Sequence, residues 1–100
     1  VMTEAAGVTA IVTFPESRHD EGLSLFQRHL PMLRAYDGCR RFVVSHDIRA
    51  RGVFTIHEEW VSEAHLDVHL KDKAITAIFA EIDALGGQIT NIFTKEVHAS

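Results

Sequence analysis

One hundred residues are the length of one domain, and a hydrophobic share of 46% is enough to fill its core. A net charge of −4 with no basic run argues against a nucleic-acid partner, and no apolar run approaches a membrane span. One cysteine, Cys39, excludes an internal disulfide and a thiolate zinc cluster, and it suits a reducing cytoplasm.

The opening VMTEAAGVTA has no charged segment followed by a long apolar one, so no signal peptide is expected. Gly7 to Phe14 is short and β-branched and ends at Pro15, which predicts a strand. Ser17 is placed to cap the following helix, whose apolar stripe is Leu23, Phe26, Leu30 and Leu33. Pro31 predicts a kink or break in that helix, and Asp37-Gly38 stops it. Cys39 to His46 and Val53 to Trp60 read as two strands joined into a hairpin by a turn at Arg49 to Gly52. Ser62 is the expected cap of a second helix, with Glu63 in its first turn and a core stripe of Val61, Ala64 and Val68. Lys71-Asp72-Lys73 marks a bend. A second helical piece then carries Ile75, Ile78, Phe79, Ile82 and Leu85, and Gly86-Gly87 ends it. Gln88 to Val97 is the last strand.

Strand, helix, strand, strand, helix, strand is the order of a ferredoxin-like α+β fold, here a single domain over residues 1–100. Its antiparallel sheet has helices on one face only. In strand two, Cys39, Arg41, Val43 and Ser45 alternate with Arg40, Phe42, Val44 and His46. Neither face of the central strands is solvent-like throughout, so a second copy is expected to cover the open side as a homodimer.

The stretch HEEWVSEAHLDVHL, residues 57–70, concentrates the chemistry. Alternation puts Phe54, Ile56, Glu58 and Trp60 on one face of strand three. If that face meets the helices, Glu58 points into an apolar layer. It is then either a general base or a strand-end carboxylate that reaches water. His65 and His69 are four apart and share a helix face. With His57 they offer a zinc-like set, but the glutamate of a helical zinc-hydrolase motif is missing. Otherwise they form a pocket wall or flank the core. Trp60 either lines that pocket or packs the hairpin on the helix. Cys39 reads as a small buried filler. No catalytic triad, phosphate loop or dinucleotide fingerprint is present.

In this order, Asp37-Gly38-Cys39, Glu58-Glu59-Trp60, Ser62-Glu63-Ala64 and His69-Leu70 resemble the antibiotic biosynthesis monooxygenase domain family. Members typically show Gly-Cys opening strand two, Glu-x-Trp closing strand three, and His nine residues after the Trp. The resemblance implies a ferredoxin-like domain that dimerises through its sheet into a dimeric α/β barrel. It also implies a pocket between sheet and helices. Several relatives oxygenate quinol-like or anthrone-like aromatics with O2, without flavin, haem or metal. By resemblance, Trp60 and His69 line the pocket and Glu58 faces it. Some anthrone-oxidising relatives carry an Asn where this chain has Ile56. Haem-degrading relatives carry a His about where Phe79 stands, so haem degradation is not implied.

The expectation is therefore a cofactor-independent monooxygenase of small aromatics. Trp60 packs on the substrate, His69 hydrogen-bonds a hydroxyl or the peroxide, and Glu58, or His65 turned inward, accepts the proton. The alternative is a non-catalytic dimeric module that binds a small ligand. In that case Ile56, Phe26 and Phe79 fill the space; in the enzyme they contact the substrate.

Overall fold

The computed structural model describes residues 4–97, so the single-domain reading of 1–100 extends past the described residues at both ends. The elements are β1 (Ala6–Thr13), a 3-10 turn (Glu16–Arg18), α1 (His19–Arg34), β2 (Cys39–His46), β3 (Val53–Trp60), α2 (Glu63–Lys71), α3 (Lys73–Ala84) and β4 (Gln88–Thr94). The four strands form one antiparallel sheet in the order β2-β3-β1-β4, with β1 and β3 central. This is the ferredoxin-like α+β fold.

Alternation along β1 sends Ala6, Val8, Ala10 and Val12 to the helices. Register carries that face across to Phe54, Ile56, Glu58 and Trp60 of β3, and to Ile89, Asn91 and Phe93 of β4. Leu25, Phe26 and Leu33 of α1 and Ile75, Ile78 and Ile82 of α3 close the core from above. Phe14, Phe26 and Phe54 pack together in this core, ring centroids 5.3–6.3 Å apart. No described helix is long and apolar enough to cross a membrane.

Several local expectations differ from what is found, among them the last strand, which ends at Thr94 and not at Val97. The helix runs through Pro31 without a break. The proline has no N–H to give to the carbonyl four residues back, so one helix bond is missing, and the helix ends soon after, at Arg34. Ser17 does not cap α1, because Glu16–Arg18 first make a 3-10 turn and no side chain caps the helix start. A register irregularity between Cys39 and Arg41 shifts the alternation of β2. Cys39 therefore faces Trp60 and the core side, while Arg41 pairs with Glu59 on the open side.

The largest difference is in α2. Val61 and Val68 are 38% and 69% exposed and Ala64 is exposed, whereas Leu66 and His69 are buried and Leu70 is half-buried. Two leucines and an imidazole remove more apolar area from water than two valines and an alanine, and they set the helix rotation. Gly38 reinforces it. Its φ of 80° is a left-handed conformation that favours glycine. A Cβ at that position would run into the His65 ring.

Candidate active site

Between the sheet and the helices lies a small, partly open cavity of about 40 Å³. Its walls are apolar apart from three side chains, Glu58, His69 and Asn91. Phe26, Ile56 and Phe79 line it, from α1, β3 and α3.

Glu58 reaches this layer because β3 alternates and its position shares the helix-side face with its partner Val8 of β1. Its side chain is 9% exposed. Among the described residues, the only hydrogen-bond partner of its carboxylate is the Trp60 indole, which donates from Nε1 to Oε1 at 2.9 Å. Burial disfavours the ionised form and pushes the carboxyl up to about 7, while the indole bond pulls the other way. Such a group is ionised in part near neutrality, as a general base must be.

His69 stands opposite, on the buried face of α2. Its ring is boxed by Trp60 at 4.5 Å, Tyr36 at 4.8 Å and Phe42 at 6.2 Å between centroids. Burial holds the imidazole down at about 4, against the opposing pull of Asp72, so it is neutral at ordinary pH. Its Nε2 lies 3.8 Å from Glu58 Oε1, too far for a hydrogen bond. Its Nδ1 is buried with no partner among the described residues. A buried polar atom without a partner costs about 1–3 kcal/mol. It marks a position where a ligand atom would be welcome.

The box is tied down from the helix junction. Asp72 ends α2 and caps α3, accepting from Ala74 N at 3.1 Å, and its other oxygen accepts from the Tyr36 hydroxyl at 2.8 Å. These bonds hold the Asp72 carboxyl below its usual range. Burial first, then the Asp72 bond, push the Tyr36 phenol up to about 12. Tyr36 is thus a neutral hydroxyl that fastens a ring against His69.

Two expected site residues lie elsewhere. Trp60 is 0% exposed and sits behind Glu58, off the cavity wall. It holds the carboxylate rather than presenting a surface to a ligand. His65 is outside the cavity: its Nδ1 is 2.7 Å from Ser62 Oγ, and its backbone N–H donates to the same oxygen as part of the helix cap. Its Nε2 is 3.6 Å from exposed Asp37. His57 is exposed on the opposite face of the sheet. No three His, Cys, Asp or Glu side chains among the described residues could jointly hold a metal ion. Cys39 is half-buried, and burial followed by the Glu58 charge push its thiol up, away from nucleophilic character.

None of Tyr36, Leu70 and Asn91 stands out as a site residue in the sequence. Asn91 has a readable signal, because it is the one polar residue on the inward alternation Ile89, Asn91, Phe93. Leu70 lines both the cavity and a larger outer groove of about 320 Å³, which runs between α2 and the far end of β4 past Leu66 and Phe93.

The family model for antibiotic biosynthesis monooxygenase matches residues 6–81. Among solved structures, a Deinococcus radiodurans protein named for the same family superposes with a TM-score of 0.87 at 19% identity, covering 95% of both chains. Rv0793 from Mycobacterium tuberculosis gives 0.83 at 18% identity, over 96% of this chain and 98% of its own. SnoaB, a cofactor-independent oxygenase from Streptomyces nogalater, gives 0.80 at 10% identity over 97% of each chain. At these identities the likeness establishes the fold. No curated protein sequence matches the chain significantly.

Proposed function

The chain belongs to the antibiotic biosynthesis monooxygenase family, and from that premise we propose that it oxygenates a quinol-like or anthrone-like aromatic with O2, using no flavin, haem or metal. One observation carries this reading. A carboxyl pushed up to about 7 and a neutral imidazole with an unpaired nitrogen border the same apolar cavity.

The chemistry follows from those two groups. Glu58, as carboxylate, takes a proton from an activated ring methylene or hydroxyl. The electron-rich anion passes one electron to O2, the radical pair combines into a C–O bond, and the resulting peroxide anion takes the proton back from Glu58 to become the hydroperoxide. For a methylene, the hydroperoxide then loses water to give the ketone. The methylene carbon keeps one atom of the O2 as its carbonyl oxygen, and the other atom leaves as water with the two methylene hydrogens. His69 hydrogen-bonds the anionic oxygen in a site that excludes water, where such a bond is strongest. Trp60 acts through Glu58. Ile56, Phe26 and Phe79 would hold the ring system.

A cavity of about 40 Å³ does not take an aromatic ring as it stands; an engineered cavity that binds benzene measures about 150 Å³. Leu70, shared with the outer groove, is the side chain whose movement would join the two spaces. The same tightness favours the second reading, a non-catalytic small-ligand module whose core is already filled. We also place the protein in the cytoplasm, on the single cysteine, and as a homodimer through the open sheet face, where Ile11 and Ile92 are 50% and 57% exposed.

Oxygen uptake decides between the readings. Metal-stripped protein is given a panel of hydroquinones and anthrones, beside Glu58→Gln and His69→Ala. Uptake above the spontaneous rate, insensitive to chelator and lost in both variants, is the expected result. Uptake no faster than buffer across the panel, with ligand binding retained, would establish the module instead.

A further inference from the structure

Asn91 is the third polar group of the cavity, and the reaction described above does not use it. It is an exposed residue of the edge strand β4 that also lines the cavity, directly opposite Ala10, which is itself opposite Ile56. Glu58 belongs to the neighbouring row, Glu58–Val8–Phe93. Asn91 and Glu58 are thus two strands and two residues apart on one face. Strand spacing and rise put their backbones roughly 12 Å apart. A ring with oxygens at opposite ends and a hydrogen bond of about 2.8 Å at each spans a comparable length.

The remaining lining of the cavity is apolar, so its polar groups fall into two ends: Glu58 with His69, and Asn91 alone. No hydrogen bond joins the Asn91 side chain to another described residue. Its amide offers a donor and an acceptor to whatever enters. Ile89, two residues before it, and Phe93, two residues after it, keep the same strand face apolar.

We infer that Asn91 is a substrate-binding residue, hydrogen-bonding a second oxygen at the end of the aromatic remote from Glu58 and His69. The inference rests on the monooxygenase reading of the same site and narrows its substrate class to dioxygenated aromatics. An aromatic with a single oxygen fills the same apolar walls but leaves the amide to water. A neutral hydrogen bond at a partly exposed site is worth up to about tenfold in affinity.

Anaerobic calorimetric titration tests this without needing turnover. The probes are 1,4-naphthohydroquinone and 1-naphthol, with wild type and Asn91→Leu. Wild type is expected to prefer the diol about tenfold. Asn91→Leu is expected to bind 1-naphthol as wild type does and to lose the preference, which also shows that the variant is folded. Equal affinities in wild type, a preference kept by Asn91→Leu, or no binding of either probe to wild type would overturn it. Failure of oxygen uptake with the preference intact would sink the monooxygenase reading alone. Uptake without the preference would sink the role of Asn91 alone.

Discussion

Trp60 donates its indole N–H to Glu58 across a single intervening residue of β3, at 2.9 Å. The two side chains point the same way because strand alternation has a period of two. Trp60 is the chain's only tryptophan and is wholly buried. Among the described residues, its indole supplies the one hydrogen bond that offsets the desolvation of the carboxylate. Trp60→Phe keeps most of the packing and removes the bond. The Glu58 carboxyl then moves further up from about 7, and the ascending limb of the rate–pH profile moves with it to higher pH. Stability falls by about 1–3 kcal/mol. Trp60→Ala also leaves a void and costs about 3–5 kcal/mol. A rate–pH profile of Trp60→Phe that overlays wild type would contradict this role.

Glu58 and His69 have opposite effects on stability as pH changes. Glu58 is raised from 4.5 to about 7, so its contribution is full below 4.5 and is lost as pH rises through 7. His69 is lowered from 6.5 to about 4, so its contribution is full above 6.5 and is lost as pH falls through 4. Between 4.5 and 6.5 the folded site holds one proton, on Glu58. The unfolded chain also holds one, on His69. The pair therefore adds almost no slope in that window. Glu58→Gln should leave stability rising with pH there, and His69→Gln should leave it falling. Each change amounts to on the order of 2–3 kcal/mol across the range. Urea midpoints from about pH 4 to 7.5 for the three proteins, read as differences, test it. Parallel curves would mean that neither group is shifted.

Stability and activity should part at His69. Its Nδ1 is buried and unpaired, inside a box of three aromatic rings. A leucine suits that box better than an imidazole does. His69→Leu should raise stability by about 1 kcal/mol or leave it unchanged, because an unsatisfied buried atom is removed. The same variant should lose at least about tenfold in turnover, a group that helps catalysis being exchanged for a stable core. Denaturant midpoints beside oxygen uptake measure both. A variant that is less stable by several kcal/mol would make His69 a structural residue.

What the sequence made legible follows the same physics. The limits of β2 and β3 match residue for residue, because β-branched and aromatic runs between glycine turns leave little freedom. Alternation put Glu58 on one face with Phe54, Ile56 and Trp60, but that this face meets the helices needed the structure. The rotation of α2 was not legible. Val61–Ala64–Val68, which starts before the helix, and Leu66–His69–Leu70 both read as stripes in the sequence, and only the larger buried area of the second decides. Trp60 as a support rather than a wall needed the indole–carboxylate contact. His65 as part of a cap needed the contact of its ring Nδ1 with Ser62 Oγ. The narrowness of the cavity depends on how α1, α3 and β4 pack at once, and no local pattern carries it.

The open sheet face gives the last prediction. Gly7, Thr9, Ile11 and Thr13 of β1 alternate away from the helices, beside Thr90 and Ile92 of β4. Ile11 on central β1 and Ile92 on edge strand β4 are half exposed or more, among the threonines of that face. A second copy seated there would bury both isoleucines, and by two-fold symmetry each patch would meet its like. Ile11→Lys puts a charge into that contact twice, once from each protomer. Light scattering should show twice the mass of the 100-residue chain for wild type and a single chain for Ile11→Lys. The variant should keep its fold, because the helix-side core is untouched. The cavity lies on the other face of the sheet, so naphthol binding should survive in the monomer. A wild type that stays monomeric at millimolar concentration would leave the face without a second copy. A monomeric variant that no longer binds ligand would mean that the partner shapes the site.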